Sequence, residues 1–108
     1  MTLPYCVVYC TCPDSVTAEK IAHHLTESGL VACTNIIPHL TSIYFWDNAV
    51  KTGSEVLMMM KTHTNKLPDL EKAIVKHHPY EFPEFIALPI IYGNQKYLEW
   101  IDEVVGKN

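Results

Sequence analysis

Apolar residues recur with two different periods along the chain, and each change of period predicts a new element. Residues 4–12 are rich in β-forming residues and apolar on both faces, which is typical of an interior strand. The next segment has the i, i+3, i+4, i+7 spacing of a core-facing helical stripe, formed by Ala18, Ile21, Ala22 and Leu25. Asp14 or Ser15 is the expected N-cap of this helix, and Gly29 is its expected C-terminal stop.

The middle of the chain predicts a long β-hairpin. Residues 31–46 and 49–62 are both β-rich, and Asp47-Asn48 between them predicts a tight turn because both residues tolerate a left-handed backbone. Pro38 predicts a bulge, a bend or an edge in the first strand, since proline cannot donate to a strand ladder.

The last third of the chain predicts a helix, a strand and a terminal helix. Thr64 or Asn65 is the expected N-cap of the second helix. One face of that helix carries Leu67, Leu70, Ile74 and His77. Residues 85–91 predict a strand, and residues 97–105 predict an amphipathic helix. The whole order predicts one α+β domain over residues 1–108, a ferredoxin-like split βαβ sandwich with an antiparallel sheet and an extra C-terminal helix.

The strands contain more apolar surface than one layer of helices can cover. Residues 7–9, 36–37 and 57–60 are apolar on both faces, whereas this fold places its helices on one face. Each large apolar side chain left in water forfeits roughly 1.5–3 kcal/mol. The simplest cover is another copy of the chain, so we predict an obligate homo-oligomer. The alternative is that the C-terminal helix folds back and covers part of that face.

Composition narrows the partners and the compartment. The net charge is −4, and the chain has eight lysines and no arginine, so we expect no nucleic-acid partner. No apolar run is long enough to span a bilayer, so we expect no membrane partner. Residues 1–4 lack the basic region of a signal peptide, which predicts a cytoplasmic protein. None of the four cysteines forms a C-x-x-C pair, and we expect reduced thiols.

Residues 77–84 concentrate the candidate chemistry. They comprise two histidines, two glutamates, two prolines and two aromatic residues where a helix gives way to a strand. The prolines predict an ordered loop, and imidazole is the commonest protein ligand for metals. Cys10 precedes a helix start, which favours the thiolate, and a thiolate with imidazoles suits copper or zinc. The alternative is a rigid connector whose polar groups face water or a neighbouring chain.

A series of ordered segments resembles one known family. The segments are Cys10-Thr11-Cys12-Pro13-Asp14, Gly29-Leu30-Val31-Ala32-Cys33-Thr34-Asn35-Ile36-Ile37-Pro38, Thr41-Ser42-Ile43-Tyr44-Phe45-Trp46, Glu55-Val56-Leu57, Lys61-Thr62, His78-Pro79-Tyr80-x-x-Pro83-Glu84 and Tyr97-Leu98-x-Trp100. In this order they resemble the CutA family, which is named for divalent-cation tolerance, from about residue 7 to about residue 105.

The resemblance implies a ferredoxin-like subunit in a homotrimer, similar in architecture to the PII signalling proteins. It also implies binding of copper or another divalent cation. The metal-binding positions of the family match Cys10, His77 and His78, and Glu55 is a further candidate of our own. Two residues depart from the family pattern, because His39 and Asn48 stand where glycine is usual. We expect Asn48 to keep the turn. His39 either adds a ligand or shows that the backbone there does not need glycine, and we favour the second.

Two other functions compete with metal binding. The first is a trimeric sensor or scaffold that binds a small ligand or a protein partner in clefts between subunits, lined by Tyr44, Trp46, Tyr80 and Glu84, with Phe82 beside them. The second is an enzyme with Cys10 as nucleophile and His78 as base. No glycine-rich loop of the oxyanion-hole type accompanies that pair, so we predict that the protein is not an enzyme.

Overall fold

The computed structural model describes residues 3–106 as an antiparallel sheet with helices on both faces. In chain order the elements are β1 (Tyr5–Cys12), α1 (Ser15–Glu27), β2 (Cys33–Trp46), β3 (Ala49–His63), a 3-10 turn (Thr64–Lys66), α2 (Leu67–His77), β4 (Ile86–Pro89) and α3 (Gln95–Val105). The strand order is β2-β3-β1-β4, and every pairing is antiparallel. This arrangement confirms the α+β fold with the split βαβ topology. The expectation that residues 1–4 are not part of a signal peptide concerns, in part, residues 1 and 2, which lie outside the described residues.

The main core lies between one face of the sheet and helices α1 and α2. The even-numbered residues of β1 from Cys6 to Cys12 face this core, because side chains alternate along a strand. Met58 and Met60 of β3 join them with no exposed surface. Helix α1 contributes its predicted stripe, and α2 contributes Leu67, Leu70 and Ile74, whereas His77 of the predicted α2 face is exposed. The packing of this core therefore follows the periodic spacing of apolar residues in the sequence.

Helix α3 covers one end of the opposite face. It forms a second small core from Tyr5, Ala32, Ile101 and Val105. The Tyr5 hydroxyl donates a hydrogen bond of 2.6 Å to Asp102 Oδ2, which ties α3 to β1. The C-terminal helix therefore folds back onto the sheet, as the alternative to an oligomer proposed, and it covers part of this face.

The rest of that face remains open in the subunit. Ile37 of β2 is 41% exposed, and Ile86 and Leu88 of β4 are 52% and 40% exposed. Registers place Leu88 opposite Val7 and Ile37 opposite Leu57, so these residues share one surface. An uncovered apolar surface of this kind is consistent with the expected assembly, and the homotrimer stays a prediction.

The β2–β3 hairpin extends beyond the rest of the sheet. Strand β1 pairs with residues 56–63 of β3, whereas residues 49–55 pair with β2 alone among the described strands. We call residues 40–46 and 49–55 the hairpin tip. Phe45 and Val50 face each other there and are 69% and 70% exposed.

Three local expectations need correction. His39 has a φ of 63°, in the left-handed region that favours glycine, because the strand register shifts between Ile37 and Leu40. The expectation that this position does not need such a backbone is therefore wrong. The N-cap of α2 is Lys66, since a 3-10 turn precedes the helix and the His63 ring accepts a hydrogen bond from the Asn65 N–H. Strand β4 (Ile86–Pro89) is also shorter than the strand predicted over residues 85–91. The expectation for Asn48 is confirmed, because this residue keeps the turn with a φ of 60°.

Candidate metal and ligand sites

The end of helix α2 turns one imidazole into the core. His78 follows the last helical residue and has an extended backbone, with φ −83° and ψ 141°. The following proline disfavours a helical conformation at this position. The His78 N–H still donates to the Ile74 carbonyl at 2.8 Å, and the side chain is only 7% exposed.

Both ring nitrogens of His78 have hydrogen-bond partners. Nδ1 accepts a bond of 3.1 Å from the Tyr80 N–H, and Nε2 lies 2.8 Å from the Thr11 carbonyl oxygen. A carbonyl oxygen only accepts, so Nε2 carries the proton in this arrangement. The ring therefore joins the loop after α2 to the end of β1.

Two thiols lie beside this imidazole. Ligand atoms of Cys10, Cys12 and His78 all lie within 4.8 Å of one another, and all three residues are buried. The Cys12 Sγ is 3.6 Å from His78 Nε2 and 3.3 Å from the Met58 sulfur. Thiolate and imidazole are the donors that copper and zinc accept, whereas magnesium and calcium require oxygen ligands.

The protonation of the thiols differs from the expectation. A hydrogen bond with Cys12, reinforced by burial, raises the pKa of Cys10, whereas the same contact lowers the pKa of Cys12. Strand β1 continues to Cys12, so Cys10 is inside the sheet and not at the start of α1. The expected stabilisation of a Cys10 thiolate by the helix is therefore wrong.

The structure separates the four candidate ligands. Cys10 and His78 come together, whereas His77 is exposed and its ring packs against His24 of α1, with centroids 4.3 Å apart. Glu55 is half-buried and accepts a hydrogen bond of 2.7 Å from the Tyr80 hydroxyl. The sequence reasoning missed Cys12 as a candidate ligand, although Cys10 and Cys12 share the same parity on one strand.

A groove separates the hairpin tip from the loop at residues 79–84. It has a volume of about 790 Å³. Its lining comprises Thr11, Ser42, Ile43, Tyr44, Trp46, Gly53, Ser54, Glu55, Pro79, Tyr80, Glu81, Phe82 and Glu84. All four residues that the sequence predicts for a cleft are in this set, and the position of the groove relative to other subunits stays a prediction.

Side-chain contacts hold the loop beside the sheet. The rings of Trp46 and Phe82 meet edge to face with centroids 5.7 Å apart, and Tyr80 donates to Glu55 across the groove. The Thr11 hydroxyl donates to Glu84 Oε1 at 3.4 Å. Burial, followed by the hydrogen bond to Glu55, raises the pKa of Tyr80, so the hydroxyl keeps its proton and remains a donor.

The topology and the thiol–imidazole cluster together define a class: small ferredoxin-like proteins with donors for soft metal ions. Residues 6–104 match the family model described as CutA1 divalent ion tolerance protein. The chain belongs to this family.

Individual relatives agree with that assignment. The chain is 45% identical over 100 residues to the divalent-cation tolerance protein CutA of Thermus thermophilus, which covers 93% of this chain and 97% of the relative. The solved structure of the Cut A1 protein from that organism superposes with a TM-score of 0.92 over 94% of this chain and 99% of that chain, at 44% identity. The CutA1 structure from Oryza sativa gives a TM-score of 0.94 at 38% identity, over 99% and 98% of the two chains.

The animal relatives are longer than this chain. Protein CutA of Mus musculus is 45% identical over 96 residues, which cover 89% of this chain and 54% of the relative. The chain thus spans about half the length of that protein. Among the described residues, no helix combines the length and the apolar character needed to cross a membrane.

Proposed function

We propose that this protein binds copper or a similar divalent cation as its part in divalent-cation tolerance. Cys10, Cys12 and His78 are the donors in this proposal. The observation that carries it is the convergence of two thiols and an imidazole within 4.8 Å in a member of this family. His77 and Glu55 are not in this cluster, so they are secondary candidates.

The donor set fits a soft or borderline ion, and the surroundings set the conditions for binding. Metal ligands must be deprotonated, so the ion has to displace the thiol protons. The imidazole must also release the Thr11 carbonyl, to which Nε2 is bonded at 2.8 Å. Binding therefore competes with existing contacts, and we expect a modest affinity that rises with pH as the thiols ionise.

Calorimetric titration of copper into the reduced protein tests this function. Cys10→Ser, Cys12→Ser and His78→Ala should each weaken binding about tenfold or more, since even loss of a contact that supports a ligand costs 10–100-fold in affinity. Cys33→Ser and His23→Ala are the matched controls, because neither residue belongs to the cluster or to the candidate ligands. Absence of binding, or equal affinity in all five variants, contradicts the proposal.

The assembly and the compartment are parts of the same proposal. A homotrimer would cover the apolar residues on the open sheet face and at the hairpin tip. A cytoplasmic location would keep Cys10 and Cys12 reduced, as metal binding requires. We assign no catalysis, because both nitrogens of His78 are hydrogen-bonded and the pKa of Cys10 is raised.

A second function is supported by the groove. Its volume of about 790 Å³ falls in the range of pockets for small molecules, and aromatic residues with a few polar groups are the usual lining. We propose that the groove takes a small ligand, in the manner of a trimeric sensor. A Trp46→Ala variant should lose that binding and keep copper binding, since Trp46 lines the groove and is not in the thiol cluster.

A further inference from the structure

We propose that the groove between the hairpin tip and the loop binds an alkyl polyammonium ion, a linear chain that carries several protonated amines. This inference rests on the second function above, which gives the groove a small ligand. It adds the chemical class of that ligand, and none of the three residues of the thiol–imidazole cluster lines the groove.

The charge of the lining disfavours anionic ligands. Glu55, Glu81 and Glu84 line the groove, and no lysine or histidine does so among the residues that the structure describes. The chain as a whole has a net charge of −4. A phosphate-bearing ligand would be repelled by these three carboxylates, whereas an ammonium ion would be attracted to them.

Neutral hydroxyl groups hold two of these carboxylates. Glu55 accepts from the Tyr80 hydroxyl at 2.7 Å, and Glu84 accepts from the Thr11 hydroxyl at 3.4 Å. These donors orient the carboxylates without cancelling their charge. A carboxylate has about four lone-pair positions, so each retains acceptor capacity for the N–H groups of a ligand.

The aromatic residues favour an organic cation over a metal ion. Tyr44, Trp46, Tyr80 and Phe82 line the same groove. The face of an aromatic ring attracts ammonium groups, and alkyl segments between the amines pack against the rings. A hard divalent ion would use the carboxylates and gain nothing from four rings.

The size of the groove selects a chain with several charges. A volume of about 790 Å³ is far more than one small ammonium ion would fill. A linear polyamine places amines several bonds apart, so that one molecule can reach more than one of the three carboxylates.

Titration calorimetry with spermidine tests the inference on the full chain. We expect binding that weakens with added salt, as it does for paired charges in contact with solvent. Triethylene glycol, a neutral chain of similar length, should not bind, and ATP should not bind. Copper binding is measured separately, and Cys10→Ser should leave spermidine affinity unchanged.

Charge-neutral variants locate the site. Glu55→Gln and Glu84→Gln should each weaken spermidine about tenfold, because each removes a charge-assisted hydrogen bond. Glu27→Gln makes the same change of net charge on α1, away from the groove, and should alter affinity less than twofold. Equal losses in all three variants mean diffuse attraction to an acidic protein and overturn the inference.

Two further outcomes separate this inference from the function on which it rests. If ATP binds and Trp46→Ala abolishes that binding while spermidine gives no heat, the groove is a ligand site and the polyammonium assignment is wrong. If neither probe binds and Trp46→Ala changes the oligomeric state, the groove is a contact between copies and both proposals for it fail.

Discussion

The two halves of the β2–β3 hairpin have the same strand pairing and opposite surroundings. Near the base, β3 lies between β1 and β2, and Met58 and Met60 have no exposed surface. At the tip, Phe45 and Val50 are 69% and 70% exposed and no third strand lies beside them among the described residues. Met58 and Met60 at the base are therefore buried within one subunit, whereas Phe45 and Val50 at the tip are exposed, and we expect another molecule to cover them. Intermolecular function should depend on the tip.

The largest expected effect is on assembly. Val50→Lys places a charge at the exposed tip, and burial of an unpaired charge in an interface is strongly unfavourable. We expect light scattering on a sizing column to show loss of the proposed trimer. Val75→Lys is the matched control, because Val75 is 55% exposed on α2 and should leave the mass unchanged. A trimer that survives Val50→Lys would mean that this part of the tip is not an interface.

The second prediction compares two valines on the same strand. Val56 is 5% exposed, so Val56→Ala should lower the free energy of unfolding by about 2 kcal/mol through lost transfer energy and a residual cavity. Val50→Ala should stay within about 0.5 kcal/mol, as is usual for exposed positions. Urea unfolding at several protein concentrations measures both, since a loss that depends on concentration belongs to assembly. Equal, concentration-independent losses would remove the distinction between base and tip.

The third prediction concerns the junction between base and tip. His39 has a φ of 63°, which costs an L-residue about 1–2 kcal/mol. Glycine would remove this cost, but its greater chain entropy in the unfolded state would offset about 0.5–1 kcal/mol of the improvement. His39→Gly should therefore raise the free energy of unfolding by about 0.5–1 kcal/mol. Thr41→Gly, two residues further in the strand, should lower it by a similar amount. Destabilisation by His39→Gly would show that its side chain makes a contact of greater value.

The last prediction is a pH dependence on β1, the strand that pairs with the base of the hairpin. The hydrogen bond to Asp102 raises the pKa of Tyr5 from 10.0 to about 12. The folded state therefore keeps a proton that the unfolded state releases, and stability falls as the pH rises from 10 to 12. Tyr5→Phe and Asp102→Asn should both reduce this slope in unfolding experiments across that range. Slopes equal to that of the parent protein would mean that the hydrogen bond does not persist in solution.

The local pattern of apolar and polar residues was sufficient to predict most of the fold. The stripe from Ala18 to Leu25 predicted the face of α1 that the structure buries. Periodicity reports which side of an element is apolar, so it succeeds wherever burial decides the conformation. It failed at His39 and at the cap of α2, where a register shift and a 3-10 turn depend on neighbouring strands and side chains.

The candidate sites were harder to predict because they depend on distances between remote segments. Cys12 and His78 are separated by 66 positions, and only the fold brings their side chains to 3.6 Å. His77 and His78 are adjacent in sequence, yet one ring packs on α1 and the other enters the core. No spacing rule distinguishes such neighbours, whereas the aromatic residues of the groove were recognisable by type.

Pro79 lies between His78, whose ring belongs to the thiol–imidazole cluster, and Tyr80, whose ring lines the groove. The ring before it is bonded to the carbonyl of Thr11, and the ring after it is bonded to Glu55. A substitution at Pro79 would loosen both attachments together, and its phenotype would not distinguish the sulfur pair from the groove. Genetic dissection of this protein should therefore leave the connecting proline intact and alter one ring at a time.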